Sequence, residues 1–235
     1  MDPAGIARTL SDSFGLTTPP VAMSFVEVPP PEIPIFTGQV PSACTLWRLA
    51  ETKTFFAPAE SHFNCPIGAL TMGFDLPASV QEQLGGFLEK MCTCGYVKAE
   101  EAPKIPSISK KKQGIAYGPL ASFPLVPDLI LMWLTPRQSM IYGEAVGTCR
   151  WTEAATPVFG RPACAVLPVA FEKSQPSTSF GCMGMRTFTE IDDDRLLAAI
   201  PGREAEEFVQ SLNAVMVANE TMREFYEAHK ASFTA

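Results

Sequence analysis

The chain has 235 residues, of which 46% are hydrophobic and 18% are charged, and its formal net charge is −7. A length of this order corresponds to one large domain or two small ones. The apolar share is ordinary and the charged share is below the usual level of about 25%, so we expect a packed, soluble protein and not a disordered one. An acidic chain lacks the cationic surface that phosphate backbones require, and we predict no nucleic-acid partner.

The expected compartment follows from the chain start and the cysteines. The first residues lack the cationic start and apolar run of a signal peptide, and the longest wholly apolar stretch, Leu129–Leu134, is too short to span a membrane. We therefore expect a cytoplasmic protein with no membrane partner. Seven cysteines in a reducing compartment are more typical of thiols, thiolate ligands or nucleophiles than of disulfides, and their odd number agrees with that.

Three short runs are predicted to be strands because each is apolar and is bracketed by proline, glycine or aspartate. They are Val21–Val26, residues 114–117 and Leu129–Leu134. The third is apolar on both faces, which predicts a central position in a sheet. The proline-rich segment 29–34 between the first strand and Cys44 is predicted to be an extended spacer.

Helices are predicted from apolar residues at helical spacing. One follows Asp75, with Pro77 in its first turn. A long amphipathic helix follows residues 201–202, and we expect its apolar face to pack in the core. That face comprises Phe208, Leu212, Val215, Asn219, Met222 and Tyr226. Three aspartates at 192–194 predict a helix start, because acidic residues cap helix N-termini; a Mg²⁺ site is the alternative.

An internal repeat organises the chain. Both halves contain Ala-Cys, an apolar run ending in alanine, a loop, Phe-x-Cys and a nearby glycine. These cysteines are Cys44 and Cys65 in the first half, and Cys164 and Cys182 in the second. We predict an α+β fold in a single compact domain over 1–235. Its halves, approximately 19–95 and 127–215, are expected to be related by a pseudo-two-fold axis, each running strand, cysteine-bearing helix, strand, helix.

Such an axis would bring the four repeat cysteines to one central site. Four thiolates suit an iron–sulfur cluster or a structural zinc ion. We expect Cys44, Cys65 and Cys182 as metal ligands, with Cys164 as a fourth cofactor-binding residue or as a free thiol near an open iron. The alternative is that each cysteine is a small buried hydrophobe. The Cys-x-Cys pair at 92 and 94 is predicted to be an exposed thiol pair, and Cys149 receives no assignment.

His62 is one of two histidines and stands three residues before Cys65. Beside a cofactor it would serve as a ligand or proton donor, whereas the alternative is a loop histidine with satisfied hydrogen bonds.

Arg48 and Arg186 each follow a cysteine by four residues, so each guanidinium could return to that site and bind an anionic substrate. For Arg48 the alternative is a surface pairing with Glu51 or Glu60.

Several familiar chemistries have no motif in this sequence. It contains no phosphate-binding P-loop, no Rossmann glycine fingerprint, no nucleophile elbow and no H-E-x-x-H pair. Nucleotide hydrolysis, Rossmann dehydrogenation and zinc-protease chemistry are therefore disfavoured.

A set of sequence blocks resembles the domain-of-unknown-function 169 family of bacteria and archaea. The blocks lie at 44–48, 61–69, 118–120 with 127–128, 161–165 and 181–186. The resemblance extends over nearly the whole chain and implies that the segments carrying Cys44, Cys65, Cys164 and Cys182 are family signatures. It implies no particular reaction.

The leading hypothesis is a metalloprotein that holds an iron–sulfur cluster for redox, Lewis-acid or sulfur chemistry on a small anionic substrate. Its partners would be that substrate or an electron donor, and a homo-oligomer is left open. One alternative is a haem or other cofactor with a cysteine or His62 as axial ligand. Another is a non-catalytic structural-zinc or ligand-sensing module.

Overall fold

The computed structural model describes residues 2–109, 112–147 and 156–233, so Cys149 lies outside the described residues. The strands are β1 (Val21–Val26), β2 (Phe55–Pro58), β3 (Gly114–Pro119), β4 (Leu129–Leu134), β5 (Val158–Phe159), β6 (Ser177–Ser179) and β7 (Leu196–Pro201). The helices are α1 (Pro3–Phe14), α2 (Ala43–Leu49), α3 (Pro66–Thr71), α4 (Ala78–Thr93), α5 (Pro136–Gly147), α6 (Val166–Lys173), α7 (Met183–Thr189) and α8 (Ala205–Ala231). The fold is therefore mixed α and β, as predicted.

The strands form one sheet in the order β2-β3-β1-β4-β7-β6-β5. Neighbouring strands are antiparallel, except that β5 runs parallel to β6. All six residues of β4 are buried, and this strand lies at the centre of the sheet. The central position predicted for Leu129–Leu134 is confirmed.

The two faces of the sheet are covered by different helices. Successive side chains of a strand point to opposite faces, so Met23 belongs to one core cluster and its neighbour Ala22 to the other. Helices α1, α5 and α8 pack on the face that contains Ala22, which we call the back face. Helices α2, α3, α6 and α7 pack on the face that contains Met23, which we call the cysteine face.

Helix α8 packs on the back face through only part of its length. Phe208, Leu212 and Val215 are buried, whereas Met222 and Tyr226 are exposed. The predicted core face is therefore right for the first half of the helix and wrong for the second. With 27 residues the helix is about 40 Å long, and its second half extends past the elements against which the first half packs.

The helix predicted to start at the three aspartates is wrong, because strand β7 follows them. The six residues of β7 pair in register with all six of β4, so the buried apolar run after the aspartates is a strand of the sheet. The aspartates lie in a turn, where the carboxylates of Asp192 and Asp194 face Arg195.

Strands β2, β5 and β6 have two to four residues and were not predicted, because such short runs carry little alternation of polar and apolar residues.

Helix α4 confirms the helix predicted after Asp75, with Pro77 at its N-cap. Its apolar residues are not a conventional core face, since Val80 is the one that is buried. Leu88 and Met91 instead face a cavity on the cysteine face.

Both halves of the chain contain the same order of strands and cysteine-bearing segments. The first runs β1, α2, β2, α3, β3, and the second runs β4, then α6, β6, α7 and β7. The two halves differ in that α4 follows α3 in the first, whereas α5 and β5 precede α6 in the second. Across the described ranges, no helix is both long enough and apolar enough to cross a lipid bilayer.

Candidate functional site

A cavity of about 400 Å³ lies on the cysteine face, a volume typical of small-molecule sites. Cys44, Cys65, Cys164 and Cys182 all line it. The four repeat cysteines thus line the same cavity, although they come from four separate segments of the chain.

Each of these cysteines lies at the start of a helical segment. Cys65 and Cys182 occupy the N-cap positions of α3 and α7. Cys44 is in the first turn of α2, and Cys164 is in a short 3-10 turn that leads directly into α6. Pro66, the first residue of α3, favours a helix start at that point because its φ is already helical and it has no N–H to leave unpaired. The cavity is therefore surrounded by helix starts.

A glycine and a backbone hydrogen bond position Cys182. The backbone N–H of Met185 donates to the Cys182 sulfur at 3.4 Å, so the thiol caps α7 as a serine hydroxyl would. Gly181 has a φ of 86°, and a Cβ at this residue would lie 2.4 Å from the Met185 Cε atom. Any other residue at this position would be strained by the positive φ and would have to displace the end of the Met185 side chain.

Cys44 and Cys164 are the buried pair. Burial raises the pKa of both thiols well above the ordinary value, because a thiolate is poorly solvated there. The negative charge of a neighbouring cysteine raises each pKa further, with Cys164 the largest such contribution at Cys44 and Cys65 the largest at Cys164. Both side chains are therefore neutral thiols at pH 7 in the free protein.

Cys65 and Cys182 are the half-buried pair. Burial raises the pKa of Cys65, while the nearby backbone N–H groups of Gly68 and Ala43 oppose that shift. The charge of Cys182 raises the pKa of all three other cysteines. Taken pair by pair, all six combinations of the four cysteines interact electrostatically. The four thiols therefore behave as one electrostatic unit.

Among the residues that the structure describes, no group of three or more His, Cys, Asp or Glu side chains is placed to hold a single metal ion.

His62 is fully buried, and both its ring nitrogens have partners. Its Nδ1–H donates to the Pro58 carbonyl at 3.0 Å, and its Nε2 accepts from the Tyr117 hydroxyl at 2.9 Å. Burial lowers the pKa of His62 to about 4, so the ring is neutral at pH 7. Within the described part of the chain, His62 is not in the cavity wall. Its hydrogen bonds match the satisfied histidine that was the alternative to a proton donor.

The two arginines predicted to bind substrate make other contacts. Arg48 pairs with the carboxylate of Glu51, which also accepts a hydrogen bond from the Trp133 indole at 2.9 Å. Glu51 is one of the partners named in the alternative for Arg48, but the pair is partly buried and not at the surface. The Arg186 guanidinium donates to the carbonyls of Phe180 (2.6 Å) and Arg195 (3.1 Å) and so ties two turns together. Neither arginine is among the described residues of the cavity wall.

A different arginine lines the cavity, and sequence reasoning gave it no role. The Arg161 guanidinium carbon lies 4.0 Å from the centre of the Tyr96 ring. The Tyr96 hydroxyl accepts a hydrogen bond from the backbone N–H of Met183 at 3.0 Å, next to Cys182. Tyr96 thus joins the segment before Cys164 to the start of α7. The sequence did contain a signal for Arg161, because this residue is the first of the block at 161–165 that contains Cys164.

The rest of the cavity wall is largely apolar. Large side chains come from α4, from β5 and from the end of α7: Phe87, Leu88, Met91, Phe159 and Phe188. Phe87 and Phe188 are 49% and 44% exposed, so they lie at the open side of the cavity. A ligand that enters would bury them.

The remaining described cysteines lie apart from this wall. Cys92 is half-buried and Cys94 is exposed, and both are free thiols near the end of α4. The predicted exposed thiol pair therefore holds fully for Cys94 and partly for Cys92.

Comparison with known proteins identifies the family. Residues 9–211 match the family described as "Uncharacterised ArCR", domain of unknown function 169. The chain is also 23% identical over 178 residues to the uncharacterized protein MJ0308 of Methanocaldococcus jannaschii, an alignment that covers 72% of this chain and 75% of the relative. No solved structure matches the chain. Because the match extends over most of the chain and includes all four cavity cysteines, the protein belongs to the DUF169 family.

Proposed function

We propose that the protein binds an iron–sulfur cluster through Cys44, Cys65, Cys164 and Cys182 and presents it to a small molecule in the apolar part of the same cavity. The observation that carries this proposal is that four cysteines, from four separate segments, all line one cavity of about 400 Å³. A cluster fills the space between its ligands with its own iron and sulfide atoms, and thiolates are its usual protein ligands.

The burial of the thiols supports a cationic occupant. Moving a thiolate into an apolar interior is costly, and the cost at Cys44 increases with negative charge on the other three cysteines. Iron ions would offset that charge, since metal binding deprotonates coordinating thiols. The raised pKa values then describe the free protein and predict that loading releases protons.

The chain also supplies groups that influence a bound cluster. Hydrogen bonds to cluster sulfurs raise reduction potentials, and the Met185 N–H already donates to the Cys182 sulfur. When bound, the cluster would supply electron transfer or Lewis-acid chemistry, while the role of the chain would be to hold it and orient a substrate beside it.

A pseudo-two-fold relation between the halves is part of the proposal. It is supported by the common order of strands and cysteine-bearing segments, and by the sheet order, which places β2-β3-β1 opposite β4-β7-β6. Under this relation Cys44 corresponds to Cys164 and Cys65 to Cys182. The correspondence also agrees with burial, because the first pair is buried and the second half-buried.

The test is anaerobic reconstitution of the purified protein with ferrous iron and sulfide, followed by iron and acid-labile sulfide analysis. We expect stoichiometric iron and sulfide, and at least a halving of both in Cys44→Ser or Cys182→Ser. The control is Cys94→Ser, which changes an exposed cysteine outside the cavity and should load fully. Iron-free protein after reconstitution, or equal loading of all three variants, would contradict the proposal.

The same samples distinguish the two alternatives. Titration with haem would give a Soret band if the cavity took haem, and its axial ligand would be a cysteine because both nitrogens of His62 already have partners. Stoichiometric zinc with no uptake of iron and sulfide would instead indicate a structural or sensing module. Either result would contradict the iron–sulfur cluster as the occupant of the cavity.

A further inference from the structure

Arg161 is a cation held at the mouth of the cavity. It is exposed, and its guanidinium stacks on the Tyr96 ring at 4.0 Å. Within the described ranges, the salt bridges of the chain do not include Arg161. The cavity wall contains a second cation, Lys104, whose ammonium group is paired with Glu101 at 2.7 Å. Among the described residues that line the cavity, Arg161 is therefore the cation with no carboxylate partner in the described part of the chain.

Stacking restricts how Arg161 can be used. A guanidinium that lies over an aromatic ring has one face covered, while the N–H groups around its edge remain free to donate in the plane. Two of these donors match the two oxygens of a carboxylate. Because Tyr96 is itself fixed by the Met183 N–H, the cation is positioned before a ligand arrives.

The neighbouring surface indicates the rest of the ligand. Phe87 and Phe188 line the cavity while they are about half exposed, and Leu88 and Met91 continue the apolar wall from α4. Exposed aromatic side chains around a concave site are typical of surfaces that an apolar ligand covers. The cation and the apolar wall belong to one cavity, so one molecule can contact both.

We infer that the cavity binds a small carboxylate with an apolar body, with the carboxylate on the Arg161 guanidinium and the body against Phe87, Leu88 and Phe188. This inference deepens the proposed function and rests on it for the role of the thiols, which would face the bound body. It reassigns the anion-binding role predicted for Arg48 and Arg186 to an arginine that lines the cavity.

The test is an NMR titration of the metal-free full chain with octanoate and with octanamide, which has the same body and no charge. We expect octanoate to bind at least about tenfold more tightly, because a hydrogen bond to a charged group contributes about 1.5–3 kcal/mol. Arg161→Gln should remove this preference and leave octanamide binding unchanged. The control Arg203→Gln alters an exposed arginine outside the described cavity wall and should keep the preference.

Equal binding of the two probes, no binding of octanoate, or an unchanged preference in Arg161→Gln would overturn the inference. Its failure can be separated from that of the cluster proposal, because Arg161 is no ligand and the Arg161→Gln variant should take up iron and sulfide fully. A protein that prefers octanoate but takes up no iron would retain the carboxylate site and lose the cluster.

Discussion

The two faces of the sheet are covered by helices of very different length. On the back face, α1, α5 and α8 have 12, 12 and 27 residues. On the cysteine face, α2, α3, α6 and α7 have 7, 6, 8 and 7 residues. The long helices lie along the sheet and bury an apolar stripe. Each short helix begins beside the cavity and places a cysteine in its wall. The position of the helix start therefore matters as much as the side of the helix that packs on the sheet.

The difference shows how one sheet can serve two purposes. Packing stabilises the protein on both faces, because burial of apolar side chains is the main favourable term in folding. The cysteine face also contains a core, but it gives up part of its packing for a cavity with thiols and a cation. Substitutions in the back-face core should therefore change stability and leave the site intact, whereas substitutions in the cavity wall should change ligand binding first.

The largest effect is expected on the back face. Phe208 is buried and stacks near Tyr142, with 5.3 Å between ring centres. Phe208→Ala should lower the free energy of unfolding by roughly 3–5 kcal/mol, because it leaves a cavity in a packed core. Urea unfolding measures this change. Iron uptake by the folded fraction should equal that of the unaltered protein. A stable Phe208→Ala variant that takes up no iron would contradict the expectation that back-face substitutions leave the site intact.

The next effect concerns the buried histidine beneath the cysteine face. The pKa of His62 is about 4 in the folded chain, against about 6.5 when unfolded. The contribution of His62 to stability is complete above pH 6.5 and is lost as the pH falls toward 4, because only the unfolded chain takes up the proton in that interval. The loss should amount to roughly 3 kcal/mol.

Urea unfolding of the unaltered chain and of His62→Asn across this pH interval isolates that contribution. Carboxylates also titrate there, so the relevant quantity is the difference in slope between the two proteins. His229→Asn is the matched control, because it changes the only other histidine, which is exposed on α8. If His62→Asn and His229→Asn have the same pH slope, the neutral buried state of His62 is wrong.

The smallest effect is expected at Arg48. The Arg48 side chain is 30% exposed and that of Glu51 is 9% exposed, so the ion pair is partly buried; Arg48→Gln should cost about 1.5 kcal/mol of unfolding free energy, because Glu51 keeps its hydrogen bond to the Trp133 indole. Octanoate affinity and iron content should both stay within twofold of the unaltered protein. A larger loss of either would return Arg48 to the role predicted from its spacing to Cys44.

The sequence was most informative where a signal was local. Strands β1 and β4 and the start of α4 were predicted because their apolar runs and prolines are sufficient evidence by themselves. Strand β7 was missed because the aspartates before it suggested a helix cap, while its actual stabilisation comes from pairing with β4 far away in the chain.

The candidate site shows more clearly that contacts between distant parts of the chain cannot be predicted from local sequence signals. Its cysteines were recognised because the repeat marks them, but the arginines were chosen by spacing alone. Arg186 followed the expected spacing and is occupied by backbone carbonyls of nearby turns. The position of Arg161 depends on Tyr96, which α4 and the loop after it bring to the cavity from the other half of the chain. No local pattern contains that contact.

Iron K-edge X-ray absorption of the anaerobically reconstituted full chain would show directly whether the four cavity cysteines hold a cluster. We expect an iron environment of sulfur atoms together with iron–iron scattering, both lost when Cys44, Cys65, Cys164 and Cys182 are all replaced by serine. Iron bound by oxygen or nitrogen atoms, without iron–iron scattering, would contradict this expectation.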